Sequence, residues 1–408
     1  MTARPLKVLL LSSLWPNREM PTLGIFVHNR MSRVAATGAV DLRVMAPVKW
    51  FPLTHPRFGR YAVEARVPRI EQQGALTIHH PRYPMVPKLS EDIQPSLYYR
   101  WILPHVRRMS QEVGGFDLID AQYFYPDAVA ARWMARDLGL PFIATARGTD
   151  VNYIPKRAGP RRQIRETAQA AAATVAVSEA LRQTLIELGA PAERAVTLRN
   201  GVDLNTFAPP TPEQRCAQRA ALGVPEGATL IVSVGALIER KGHALSIQAM
   251  ADLPGTYLAI AGDGPDRAAL MAQIQALGLA NRVRLVGPLP YADVPGFFGA
   301  ADASLLASSR EGLANVLLES MACGTPALAT PVYGAPEVIT APAAGRLLAE
   351  RSTPAIVAGV RGLVNNAPER AATRAHAERF GWEPTVQGTI NLYSRVSREF
   401  SAPNMLTA

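Results

Sequence analysis

The sequence predicts an α/β protein of two doubly wound, Rossmann-like domains, and three observations carry that expectation. Short apolar runs rich in β-branched residues alternate with longer segments of helical period, the pattern of parallel strands joined by crossover helices. The alternation occurs twice in the 408 residues, once on each side of Pro209, Pro210 and Pro212. That length, with 48% hydrophobic residues, suffices for two ordinary cores.

In the first half, strands are expected near residues 8–11, 42–45, 76–78, 118–119, 142–144, 175–177 and 196–198, with helices at 25–36 and 128–138 among those between them. The second half repeats the scheme with strands near 230–234, 257–260, 283–286, 303–306 and 327–329. Three prolines in four residues can continue neither a helix nor a central strand, so the linker is placed at 208–212. This gives a first domain over 1–207, a second over 213–380, and a C-terminal helix over 381–408 that packs back on the first. Two such domains leave a central cleft between their strand carboxyl ends, where open α/β sheets bind ligands. Residues 49–74 and 81–95 read as long irregular stretches rich in proline, arginine and aromatics. Loops of this length often shape a functional surface.

Composition excludes several classes. Two cysteines, Cys216 and Cys323, cannot make a disulfide framework or a Cys-rich zinc site. The apolar run at 8–11 falls far short of the roughly 20 residues of a membrane-spanning helix, and no small-residue cleavage pattern follows it, so a cytoplasmic protein is expected. The net charge of +10 is uneven: residues 1–200 hold 27 Lys+Arg against 16 Asp+Glu, and residues 201–408 hold 16 against 17. An anionic partner for the first half is one reading, and a solvated basic face is the other. The basic residues Lys156, Arg157, Arg161, Arg162 and Arg165, with Arg100, Arg107 and Arg108 beside Tyr98, Tyr99 and Trp101, suit an anionic membrane surface. None of the usual nucleic-acid recognition motifs is present.

The strongest local signal is the segment 311–319, which follows the strand at 303–306. Glu311 and Glu319 flank Gly312, Leu313, Ala314 and Asn315 at a new helix start, where backbone amides favour an anion and Gly312 permits close approach. The carboxylates can accept from hydroxyls at either end of a phosphate-bridged molecule, such as a sugar nucleotide. An ordinary amphipathic helix would read similarly. The segment 235–243 also follows a strand and carries Gly235, Arg240 and Lys241. Lys241 is the only lysine after residue 200 in a chain that otherwise uses arginine, which suggests that a compact ammonium is wanted for a phosphate. In the first half, Gly24 opens the helix at 25–36 after a long loop, either as a helix start toward the ligand edge or as a simple glycine turn. The strand at 142–144 ends in Arg147, Gly148, Thr149 and Asp150. Arg147 could stabilise charge and Asp150 could accept from an acceptor hydroxyl, or both could serve a local turn.

Taken in order, Gly24, the triplet Gly148-Thr149-Asp150, Val177-Ser178-Glu179, Asn200-Gly201-Val202-Asp203, Arg240-Lys241-Gly242, Gly262-Asp263-Gly264-Pro265 and Glu311 with Glu319 resemble glycosyltransferase family 4 over most of the chain. The resemblance implies the GT-B architecture and retaining transfer of a glycosyl unit from a nucleotide-sugar donor held by the second domain. It implies a saccharide or lipid-linked acceptor held by the first. It also implies no metal and no cofactor beyond the donor, in keeping with the lack of an Asp-x-Asp pair. Arg147, Asp150, Lys241 and Glu311 then stand as catalytic candidates. Gly24, Gly235, Arg240, Lys241, Glu311, Gly312, Leu313, Ala314, Asn315 and Glu319 stand as donor-binding ones. Two positions depart from the family pattern: Ala236 occupies a site where many members have arginine, and Arg147 stands where a histidine is often found. Arg147 and Arg240 are the cations available to replace the missing one. The segments 21–27 and 145–152 resemble a branch associated with cell-surface polysaccharide assembly.

Three other classes share parts of this pattern. The run Gly262-Asp263-Gly264 suggests a dinucleotide-dependent oxidoreductase, but Arg267 replaces the third glycine and the motif does not follow the first strand. A sugar-nucleotide epimerase of the same architecture and a non-catalytic sugar-nucleotide-binding protein remain compatible with the sequence.

Overall fold

The computed structural model describes residues 4–51, 55–85 and 91–401. The chain divides into two compact units, one of residues 1–199 and 383–408 and the other of residues 200–382.

Among the described residues the first unit contains ten strands: β1 Leu6–Leu11, β2 Val40–Met45, β3 Val48–Trp50, β4 Ile70–Gln73, β5 Leu76–His79, β6 Arg82–Pro84, β7 Leu118–Ala121, β8 Phe142–Ala146, β9 Ala173–Ala176 and β10 Ala195–Thr197. Eight of them form one sheet in the order β10-β9-β8-β7-β1-β2-β5-β4. Every pairing in it is parallel except β4 with β5. Strands β3 and β6 pair separately, also in parallel. Central β1 runs Val8 to Leu11 without exposed surface, as expected where helices cover both faces of a parallel sheet. The helix Ile25–Ala36 lays Val27, Met31 and Val34 on this core at helical spacing. The helix Glu383–Ser401 adds Leu392, Tyr393 and Val396 to the same cluster. Burying each such aliphatic side chain is worth about 1.5–3 kcal/mol, which holds the last described helix to the first unit.

The second unit contains β11 Thr229–Val234, β12 Thr256–Ala261, β13 Val283–Gly287, β14 Ala303–Leu306, β15 Ala327–Ala329 and β16 Gly345–Leu347. They form an all-parallel sheet in the order β13-β12-β11-β14-β15-β16. Its core joins Ile231, Ile260, Leu305 and Leu328 from the strands to Ile247, Leu270, Ile274 and Ile356 from the helices.

Two expectations are corrected. The units divide after Arg199, not at the proline run, because residues 200–207 are built into the second unit. The Val202 amide donates to the Phe380 carbonyl at 2.9 Å, a Cβ at Gly201 would lie 2.7 Å from the Trp382 backbone, and buried Phe207 packs edge-on against Tyr291. Pro212 opens the helix Pro212–Ala221 behind a Thr211–Gln214 capping box. The stretches expected to be irregular instead hold β3, β4, β6, the helix Arg60–Arg66 and the start of the helix Gln94–Val113. Residues 52–54, 86–90 and 402–408 of those stretches and of the C-terminal segment lie outside the described residues. Among the described residues no helix is long and apolar enough to cross a membrane.

A buried polar contact ties the C-terminal helix to the sheet. The Tyr393 hydroxyl donates to the carboxylate of Asp120, which is 1% exposed and also receives the Gln122 amide at 2.5 Å. Tyr393→Phe should cost about 1–3 kcal/mol by stripping a donor from a buried carboxylate. Urea unfolding should show a lower midpoint with an unchanged slope.

Candidate functional site

In the second unit the chain passes from β11 to β12 and β13 on one side, then returns to place β14 and the later strands on the other. The order therefore reverses between β11 and β14, the switch point at which open parallel sheets bind ligands. The two segments singled out from the sequence leave from these two strands. Gly242 has φ +72, and a Cβ there would strike the Ala307 carbonyl, so the β11 loop lies directly on the β14 loop. The Ser309 amide donates to the Arg240 carbonyl at 2.8 Å and closes this contact. Gly262, after β12, has φ +144 and presses on the Gly235 carbonyl in the same way.

This packing aligns the charged side chains. The Lys241 ammonium donates to Glu311 Oε1 at 2.7 Å. Arg240 lies 3.5 Å from Glu311 Oε2 and donates to the Arg310 carbonyl at 2.8 Å. The Lys241 stem crosses Gly235, where an added Cβ would sit 3.4 Å from Lys241 Cε. Burial pushes the Glu311 carboxyl up, but attraction to Lys241 and Arg240 outweighs it and leaves Glu311 below the ordinary glutamate range. Leu313 is buried, and Ala314 takes the left-handed conformation, φ 64, ahead of the helix Asn315–Ala322. The Gly312 carbonyl accepts from the Gly334 amide at 3.2 Å, and the Asn315 side chain accepts from Asn200 at 3.1 Å. Glu319 lies in the second turn, half-buried, and burial alone raises its carboxyl to about 7.

A buried histidine that the sequence reading passed over supports the same loop. His243 Nε2–H donates to the Ala236 carbonyl at 3.2 Å, and burial lowers its pKa to about 4, so the ring is neutral. The backbone at Ala236 thus has a fixed position although its side chain carries no cation.

In the first unit the switch point lies between β1 and β7. A Cβ at Gly24 would collide with the Leu14 backbone, so this glycine serves close packing of the loop on the helix start. Asp150 is fully buried and accepts from the backbone amides of Phe124 at 2.9 Å, Arg147 at 3.0 Å and Gly148 at 2.8 Å. These bonds make it a clamp on the β8 loop, and its carboxylate reaches no solvent. Arg147 is held by that clamp, donates to the Gln122 side chain and lies 5.4 Å from the centre of the Phe26 ring. Burial and neighbouring Arg30 lower its pKa to about 9, which leaves it charged at neutral pH. Gln122 in turn bonds Asp120, so Tyr393, Asp120, Gln122 and Arg147 form one chain of contacts.

A cavity of about 330 Å³ opens beside the loops after β1 and β2, lined by Ser13, Lys49, Arg60, Glu64, His80 and Tyr125 among others. Ser13 donates to buried Asp127 through its amide at 2.8 Å and its hydroxyl at 3.0 Å. Burial raises the Asp127 carboxyl to about 7. Neither Asp127 nor Lys49 was singled out from the sequence, because their neighbours arrive from distant segments. The surface reading is revised in part: Tyr98 is fully buried and Arg157 pairs with Glu91 at 2.8 Å and with Asp92, whereas Trp101 is 56% exposed. Among the described residues no group of three or more His, Cys, Asp or Glu could hold a metal ion.

Two Rossmann-like units with loops gathered at their switch points define the GT-B class of fold. Solved GT-B proteins share it across the chain. Anabaena HepE, solved with UDP and glucose, superimposes with a TM-score of 0.72 at 20% identity over 96% of this chain and 100% of that one. Sucrose-phosphate synthase of Thermosynechococcus elongatus does so with a TM-score of 0.78 at 18% identity over 97% of this chain and 100% of that one. Residues 55–206 match the model "Glycosyltransferase Family 4" and residues 214–380 match "Glycosyl transferases group 1". The chain belongs to glycosyltransferase family 4. Among curated relatives, the D-inositol 3-phosphate glycosyltransferases of Mycobacterium tuberculosis and Mycobacterium bovis are 29% identical over 317 residues, 71% of this chain. The matched region spans 64% of those relatives' length.

The titration of Glu319 gives a test of its surroundings. Its folded pKa lies above the ordinary 4.5, so the native state holds the proton more tightly and loses stability as pH rises from about 4.5 through about 7. Glu319→Gln should therefore raise the urea midpoint at pH 8 and leave it nearly unchanged at pH 4. An equal change at both pH values would show that the carboxyl is not held in a desolvating site.

Proposed function

We propose that this protein is a retaining, metal-independent glycosyltransferase that moves a sugar from a nucleotide-sugar donor to a saccharide or lipid-linked acceptor in cell-surface polysaccharide assembly. The observation that carries the reading is the Lys241–Glu311 pair, held over Gly235 beside the helix start at 312–315 on the switch point of the second unit. Family membership supports the transferase class, and the UDP and glucose bound to HepE support a nucleotide-sugar donor. The inositol phosphate named for the mycobacterial relatives makes a polyhydroxylated acceptor a reasonable class to test.

In this reading the donor diphosphate lies against Lys241 and the amides of 312–315. As the anomeric C–O bond breaks, charge grows on the leaving phosphate, and an oriented ammonium there stabilises the transition state more than the ground state. Glu311 holds the ammonium in place and accepts from a sugar hydroxyl, while Glu319 accepts from the ribose. The acceptor hydroxyl attacks from the face of the departing diphosphate, which takes its proton. Arg147, positioned by Asp150, polarises that region. The protein works on the cytoplasmic side, and the exposed basic residues of the first unit rest on an anionic membrane surface.

A panel of nucleoside diphosphates and nucleotide sugars in thermal unfolding should give one base-specific rise in the midpoint, since a ligand of the native state stabilises it by mass action. Lys241→Ala should then lower kcat by about 10²-fold or more. Glu319→Ala should act mainly on donor KM, because a ribose contact is remote from bond breaking. Near wild-type turnover in the Lys241 variant would remove the ammonium from the reaction.

A further inference from the structure

A second cavity in the first unit, about 380 Å³ in volume, lies between the β4–β5 hairpin and the helix Gln94–Val113. His80 forms part of its wall and part of the wall of the 330 Å³ cavity beside the β1 loop. That ring is buried and fixed by a 2.9 Å contact of Nδ1 with the Ala46 carbonyl, so it separates the two spaces. Nothing in the proposed transfer reaction uses the second one.

Its lining is unusual in charge. Arg69 comes from the start of the hairpin, His79 from the end of β5, and His105 and Arg108 from successive turns of the helix. Glu112 is the only carboxylate among the lining residues. Neither Arg69 nor Arg108 has an ion-pair partner among the described residues. The nearby charges on other elements largely satisfy themselves: Arg43 pairs with Asp41 at 3.0 Å, Arg82 donates to the Val67 carbonyl, and Glu71 accepts from the Arg18 amide at 3.1 Å. Burial lowers the pKa of His105, and Arg108, Arg69 and His79 lower it further. For His79, burial again comes first, with Glu112 pulling up and Arg43 pushing down. Two guanidinium groups and two imidazoles from three elements thus line one cavity that holds a single carboxylate. Two guanidinium forks and two imidazoles match the oxygens of a phosphate group, and a dianion would relieve the crowding.

The rim adds a second feature. Ile70, beside Arg69, and Trp101, one turn before His105, are each 56% exposed. Apolar side chains flanking a cationic pocket suit a phosphate carried on a small polyol or on a lipid headgroup.

We propose that Arg69, His79, His105 and Arg108 form a phosphate-binding site in the first unit, distinct from the donor and acceptor sites, for a phosphorylated small polyol or a phospholipid headgroup. The full chain carrying Lys241→Gln, which removes the competing donor-phosphate contact, is titrated with glycerol 3-phosphate at constant ionic strength. Saturable calorimetric binding is expected. The ring resonances of His79 and His105 should titrate at higher pH in the complex, because an adjacent anion favours the protonated ring. Arg69→Gln with Arg108→Gln, two exposed changes that break no ion pair, should weaken binding at least 10-fold without lowering the unfolding midpoint. A parallel arm measures co-sedimentation with phosphatidylglycerol and phosphatidylcholine vesicles. Binding to glycerol 3-phosphate assigns a soluble ligand. Binding only to phosphatidylglycerol vesicles, lost in the double variant, assigns a lipid headgroup. No binding in either arm, or binding that the double variant leaves intact, overturns the site.

Discussion

The contact between Lys241 and Glu311 sets the order of the second unit's ligand edge, because it joins the two loops that leave the switch point. A buried ion pair contributes little net stability, since both ions lose water to form it. What it contributes here is position. The ammonium can reach Glu311 only if its stem crosses Gly235 and if the backbone at Gly242 rests on Ala307, where any side chain would collide. Loss of either contact would deprive a buried carboxylate of its nearer cation, which costs more than never having formed the pair. The site thus has one low-energy arrangement of its charges before any ligand arrives.

That arrangement also has a spare positive charge. Lys241 and Arg240 face one carboxylate, so an anion at the helix start enters a net cationic site whose donors already have fixed positions. Arg240 is tethered by the Arg310 carbonyl and Lys241 by Glu311, which spares the entropy of ordering two long side chains on binding. Glu319 is the opposite case. It has no cation beside it, and its raised pKa reflects burial without compensation. Hydroxyl donors from a ligand would lower that pKa and make binding and ionisation mutually favourable.

The first unit fixes its cation by other means. Arg147 is supported from the backbone side by Asp150, whose oxygens are taken by three amides, and from the side-chain side by Gln122. Gln122 leads through Asp120 to Tyr393, so the last described helix of the chain supports a residue at the end of β8. Buried polar chains of this kind hold a single geometry because each member loses a partner if any one moves. The helix Glu383–Ser401 is therefore more than a cover for the apolar face of the sheet.

The sequence by itself determined the two parallel sheets and the loops at their carboxyl ends. Periodicity of apolar residues is a local property, and it placed the helix Ile25–Ala36 at its observed bounds and the central strands within a few residues. It also marked Lys241, Glu311 and Glu319, since a lone lysine and a pair of glutamates around a glycine are visible in one dimension. It missed the short strands β3, β4, β6 and β16, whose sequences VKW, IEQQ, RYP and GRL hold no apolar run, and β3 and β6 pair only with each other. It set the domain boundary at the prolines, because the ties of Val202 to Phe380 and of Gly201 to Trp382 join positions nearly 180 residues apart. Only the tertiary structure decided that Asp150 is a clamp, that Tyr98 is core, and that two arginines and two histidines from three elements share one cavity. Such facts depend on which distant segments a fold brings within hydrogen-bond reach, and chain order does not encode that locally.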